Sequence, residues 1–138
     1  MAGMTKEELN AVNVITKAIR KEQERLANLT DWMTRITAEL DGLPHEASYQ
    51  RSKIEELTIQ KVECENKLNE LRAERANETA NLIKKIDDVL TDNIQKAVVV
   101  ERYGFGQCFK KIAEKMHMTE RNVFIQHRKG LRILFNEF

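Results

Sequence analysis

Apolar residues recur every seven positions at Val12, Ile19, Leu26, Met33 and Leu40, and three positions after members of that set at Ile15, Leu29, Ile36 and Leu43, with Glu22 the one polar interruption. This is an a/d heptad seam, the pattern that keeps one helix face against a partner helix. Thr5-Lys6-Glu7-Glu8 has the capping-box form and predicts the helix start. Gly42 suits the left-handed position after a last turn, and Pro44 prevents continuation. A helix from Thr5 to Asp41 spans roughly 55 Å, too long to pack wholly against one small core.

A second, weaker seam follows. Ile54, Leu57, Cys64, Leu68, Leu71 and Leu82 fall on one 3-4 pattern, but so do Lys61, Arg75 and Glu78. Those polar positions mark either where the first helix has ended or where another chain docks. Ser52-Lys53-Ile54-Glu55 is another capping-box form. The segment between, Gly42 to Arg51, is the one plausible turn of the first half. Residues 1–81 are therefore expected to form a long antiparallel helical hairpin, a coiled coil with its turn near 42–51. Heptads specify a seam and not whose helix fills it, so pairing within one chain or between two stays open.

From about Leu82 the texture changes to short patterns with closer punctuation. Asp92 can cap a helix running to Tyr103, and Gly104 and Gly106 break the chain. Phe109, Ile112, Ala113 and Met116 lie at i, i+3, i+4 and i+7. His117-Met118 is a brief connector, and Thr119 is a good N-cap for a last helix. The expected fold is all-α: the hairpin, then a small three-helix helix-turn-helix domain over residues 82–138.

Composition narrows the classes. The chain has 138 residues, 41% hydrophobic and 33% charged, which is too apolar for a disordered chain. One Pro and 5 Gly argue against an all-β protein. No apolar run approaches the ~18 residues of a membrane helix, and no secretory h-region opens the chain. The expectation is a cytoplasmic protein with no membrane partner, in which Cys64 and Cys108 are free thiols. The net charge of +1 is unevenly spread: residues 1–81 carry −3, residues 82–138 carry +4, and residues 105–135 alone carry +5.

That basic segment holds the candidate chemistry. Projected at 100° per residue, Val123, His127, Gly130 and Leu134 cluster within about a sixth of a turn. The opposite face carries Arg121, Ile125, Arg128 and Arg132. A helix in the DNA major groove needs one apolar stripe held by its domain and one cationic stripe free. Arginine can then pair bidentately with guanine, and an apolar side chain can meet a thymine methyl. Lys110, Lys111 and Lys115 on the preceding helix suit phosphates, as do Thr119, Lys129 and Arg132. Ala113 is small where two helices cross, Val123 fills the angle between them, and Gly130 permits close approach.

The residues Arg102-Tyr103, Ile112-Ala113-Glu114-Lys115-Met116, Thr119, Val123 and Leu131 resemble region four of bacterial sigma factors, the module that binds the promoter −35 element. With Val123-Phe124, His127, Lys129 and Leu131, the chain is more closely similar to small sigma-like proteins of phages and prophages of Gram-positive bacteria. Some of that group are described as late-gene transcription activators. The resemblance implies a DNA-binding regulator in a bacterial host cell, with Glu120 and Arg121 at base-reading positions and Phe124 and Ile125 beside them. Region four has polar residues at those last two places, so either the target differs or the apolar pair contacts a protein. Nothing resembles region two, so a complete sigma factor is not expected.

The remaining distinctive residues have structural roles. His127 is expected as a core histidine hydrogen-bonded within the fold. Cys64 is a small hydrophobe in the seam, and Cys108 stands at a helix N-cap beside Lys110 and Lys111. Trp32 and Phe135 are expected to pack, as is Phe138. No phosphate loop, nucleophile elbow or metal-binding helix motif is present, so no enzyme activity, catalytic residue, metal or cofactor is expected.

Two functions follow. The first is a sequence-specific regulator that binds double-stranded DNA through its last helix, the hairpin being a spacer, a homodimerisation arm or a surface for RNA polymerase. The alternative is a protein-interaction adaptor that binds host RNA polymerase or another protein, or a DNA-packaging subunit.

Overall fold

The computed structural model describes residues 3–40 and 47–136, and they are all-helical, with no strand among them. Two long helices, α1 (Lys6–Leu40) and α2 (Ala47–Val89), precede three short ones, α3 (Asn93–Val99), α4 (Phe109–Met116) and α5 (Glu120–Leu134). Gly42, Leu43, Pro44, His45 and Phe138 lie outside the described residues. No helix is long and apolar enough to cross a membrane among the described residues.

The start of α1 follows its local signal, with Thr5 Oγ1 accepting from the Glu8 amide at 3.1 Å. The reciprocal half of the capping box is missing, because the Glu8 carboxylate takes Lys85 instead, at 3.2 Å. α2 departs from expectation at both ends. It begins at Ala47, which places Ser52 to Glu55 in its interior, and it passes Leu82 to end at Val89. Residues 47–51 hold no Pro or Gly, and extending an existing helix needs no new nucleus. Past Leu82 the heptad lapses, but an i, i+4 stripe of Leu82, Ile86 and Leu90 remains, all buried.

The chain packs as two compact units: residues 17–73, and residues 1–16 together with 74–138. The second joins the first turns of α1 and the end of α2 to the three short helices, so packing does not divide the chain at the textural break near 82. Its larger core gathers Met4, Leu9, Val12, Leu82, Ile86, Leu90, Val99 and Leu134. Phe135 packs against this core as expected. The N-terminus is tied in as well: the Met4 amide donates to the Leu134 carbonyl at 2.7 Å. A Cβ on Gly3 would stand 2.6 Å from that same oxygen, so only glycine permits the approach.

Within residues 17–73, Leu29, Ile36, Leu57 and Cys64 form the core, flanked by Leu26, Met33 and Ile54. Contacts between the two helices run in opposite numerical order: Glu22 meets Cys64 and Lys67, and Trp32 meets Lys53. Trp32 does not pack inside; it is half exposed, with the Lys53 ammonium 5.3 Å from its ring centroid. It stands one position off the seam that Met33 occupies.

Glu22, the polar interruption of the first seam, is 8% exposed. Its Oε2 lies 3.2 Å from Cys64 Sγ, and its Oε1 lies 3.2 Å from Lys67 Nζ. The Cys64 thiol and Lys67 hold the carboxyl below its usual range, while burial and the carboxylate push the thiol up. The pair therefore contributes stability that is complete above the ordinary carboxylate range and lost as pH falls through the lowered folded value. Cys64→Val should cost about 1 kcal/mol by removing the donor from a buried carboxylate. Glu22→Leu should leave stability unchanged or raise it, because a heptad core position accepts leucine. Thermal melts should show the cost of Cys64→Val vanishing in the Glu22→Leu background; an equal cost in both would mean the thiol acts by packing alone.

Candidate nucleic-acid interface

The basic face is built on the second core of the larger unit. Val98, Ile112, Ala113 and Val123 are buried together, with Phe109, Met116 and Met118 packed around them. Ala113 of α4 and Val123 of α5 thus share one core. α3 is capped by Asp92, whose carboxylate accepts from the Ile94 and Gln95 amides, and continues through a π turn at Val100–Gly104. Gly106 then turns the chain at φ +66°.

α4 begins after Cys108, which is exposed, stands at the N-cap and caps nothing with its side chain. It ends at His117, in the left-handed region at φ 54°, while the Met118 amide donates back to the Ala113 carbonyl at 2.9 Å. Thr119 then caps α5, its Oγ1 accepting from the Asn122 amide at 3.1 Å. One face of α5 is buried through Val123, Gly130 and Leu134. At Gly130 the approach is close: an added Cβ would stand 3.0 Å from Val99 Cγ2 on α3.

The opposite face of α5 is open. Glu120, Arg121, Phe124, Ile125, Arg128, Lys129 and Arg132 are all exposed, as are Lys110, Lys111, Lys115 and Thr119. Glu120 is the one acidic side chain of α5. Phe124 and Ile125 stay 48% and 40% exposed, a large apolar pair left in solvent among cations. Two expected phosphate contacts have partners already. Lys115 is ion-paired with Glu101, and Thr119 spends its oxygen as a cap acceptor, with its hydroxyl proton free to donate.

The edge of this face is an aromatic group with no signature in the sequence pattern. Tyr103 and His127 stack at 5.6 Å, with the tyrosine hydroxyl 2.8 Å from His127 Nε2. Phe109 meets the edges of His127 and Phe124 at 5.0 and 5.5 Å. The Arg102 guanidinium covers Phe109 at 4.5 Å and donates to the Gln107 carbonyl at 3.2 Å, while Arg128 lies 5.8 Å from the Phe124 centroid. His127 is thus a structural histidine hydrogen-bonded within the fold, half-buried. Burial first, and then the Arg102 charge, hold its pKa below the usual histidine value; burial pushes the Tyr103 hydroxyl up. The pairing of residues 103 and 127 was not visible in the sequence, where only His127's place on the buried face hinted at it.

Among the described residues, no group of three His, Cys, Asp or Glu side chains could hold a metal ion. Comparisons with protein-family models, with curated proteins and with solved structures return no match.

Two outcomes are expected from this packing. Gly130→Ala, which gains about 1 kcal/mol in an open helix, should instead lower stability: Val99 is fully buried and stiff at its branched Cβ, so it has little room to give, and overpacking costs about 1–3 kcal/mol. The cost of Gly130→Ala should be smaller in a Val99→Ala background than in the parent chain, a coupling that chemical denaturation of the single and double variants measures. His127 has a depressed folded pKa, so its contribution is complete above the unfolded histidine value and lost as pH falls through the folded one. The melting temperature should therefore drop less between pH 7.5 and 5 in His127→Phe than in the parent chain, and equal drops would contradict the assignment.

Proposed function

We propose that the chain is a sequence-specific DNA-binding transcription regulator that lays α5 in the major groove. The observation that carries this reading is the two-sidedness of α5: one face sealed by Val123, Gly130 and Leu134, the other open and cationic. In this reading α4, the left-handed connector and α5 act as a helix-turn-helix. Arg121 and Arg128 read guanine edges with Glu120, Phe124 and Ile125 beside them. Lys110, Lys111, Lys129 and Arg132 hold phosphates, joined by Thr119 and by Lys115 once it leaves Glu101. The long helices form an antiparallel coiled-coil hairpin that serves as an arm for dimerisation or for contact with RNA polymerase. The resemblance to phage sigma-like proteins points the same way.

A second reading, a protein-interaction adaptor, is favoured by one observation, the exposure of Phe124 and Ile125. Such a pair also anchors protein partners.

Salt titration and variants separate the two. Affinity for duplex DNA should fall steeply with salt, as phosphate contacts release counterions. Arg121→Ala should cost about 1–3 kcal/mol on the preferred sequence and relax specificity there, whereas Lys111→Ala should weaken all sequences similarly and reduce the salt slope by about one. Equal effects of both variants on matched and scrambled DNA would remove the sequence-reading part of the proposal.

A further inference from the structure

We propose that the outer face of α2 is a homodimer surface on which two copies of this chain meet antiparallel about a two-fold axis. The inference rests on α2 alone and stands whether or not α5 binds DNA.

α2 carries two stripes within residues 17–73. The inner one, Leu57, Cys64 and Leu68, is buried. The outer one, Ile59, Val62, Asn66, Asn69 and Ala73, has the same 3-4 spacing and lies roughly 150° around the helix at 100° per residue. Every member is exposed, Ile59 at 61% and Val62 at 49%. A solvated helix face in a chain one-third charged is expected to carry charges. This stripe carries none; its charges stand to either side, at Glu63, Glu65, Glu70 and Arg72. An uncharged 3-4 stripe with flanking charges and asparagine in the middle is the pattern of a helix–helix seam.

The stripe is complementary to its own reverse. With two copies antiparallel and the axis between Asn66 and Asn69, Val62 lies over Ala73 of the second copy, bulky against small. Asn66 lies over Asn69, where two amides satisfy each other. Glu65 flanks Arg72 of the second copy, and symmetry makes that ion pair twice. Glu63 and Glu70 oppose each other on the other flank, which limits the strength of the dimer. A parallel pair would set Val62 on Val62 and Ala73 on Ala73, leaving a gap at the alanines. It would also place Glu65 beside Glu70 with no attractive pair among these four charges. Packing and charge both favour the antiparallel partner.

Sedimentation of the full chain across the micromolar range tests this. A reversible monomer–dimer equilibrium is expected. Val62→Lys should raise the dissociation constant at least about tenfold, which is 1.4 kcal/mol, with unchanged helical circular dichroism because Val62 is already in solvent. Glu65→Arg and Arg72→Glu should each weaken the dimer several-fold, the two together should restore it, and Glu70→Lys should tighten it. A chain that stays monomeric throughout, an oligomer indifferent to Val62→Lys, or a dimer that Glu65→Arg strengthens or the double reversal fails to restore would overturn the proposal.

Discussion

The close approach of α5 to α3 at Gly130 is the constraint on which the basic face depends. With no Cβ at that position, α5 lies so near α3 that one carbon would already crowd Val99. Val99 belongs to the same core as Leu90, Leu134 and Met4. The start of the chain, the end of α2, α3 and the end of α5 therefore hold one another. Val123 anchors the start of α5 in the neighbouring core with Ile112 and Ala113. A helix pinned along its length on one side has only one orientation left for the other. The exposure of Arg121, Arg128 and Arg132 is thus a consequence of packing on the opposite face. The aromatic group adds a lateral stop, because the Tyr103–His127 pair and Phe109 hold the middle of α5 and the ring of Phe124 from the side.

The unit of residues 17–73 is specified differently. Its seam is narrow and contains a carboxylate, which an apolar seam ordinarily excludes. Glu22 is tolerated because the Cys64 thiol and the Lys67 ammonium reach it. Such a pair adds little net stability, since desolvation offsets most of the attraction. Its consequence is register: Glu22 finds a thiol donor only when Cys64 lies opposite, whereas a leucine at either place would accept several alignments.

What was legible in the sequence is what local chemistry decides. Thr5, Asp92 and Thr119 cap where their types and spacing place them, and the all-helical class follows from the periodicity. Gly130 stood out as a close-approach position because a glycine stands on the face of α5 that packs on the domain. The limits of α2 were misread for a physical reason: a capping-box tetrapeptide is also acceptable inside a helix, and a lapse of the heptad ends a seam without ending a helix. Pairings distant in the chain left no trace, because nothing local at Glu22 names Cys64 and nothing at Tyr103 names His127. The same holds for Lys115, which the sequence offers to phosphate and the fold offers to Glu101. Trp32 is expected to pack from the flank of the seam beside Met33, but one position off the seam is enough on a helix to leave the ring half exposed.

The proposed DNA reading rests on a surface, and a surface is tested by what it selects. The most direct measurement is selection of bound sequences from a random duplex pool at near-physiological salt, followed by titration of the winner against a scrambled control. A recovered motif preferred by at least about 1,000-fold would mark a sequence-specific regulator, and a two-fold motif would report binding by dimers. No enrichment, with only weak and salt-sensitive binding, would contradict the reading and leave the exposed Phe124–Ile125 pair as a contact for protein.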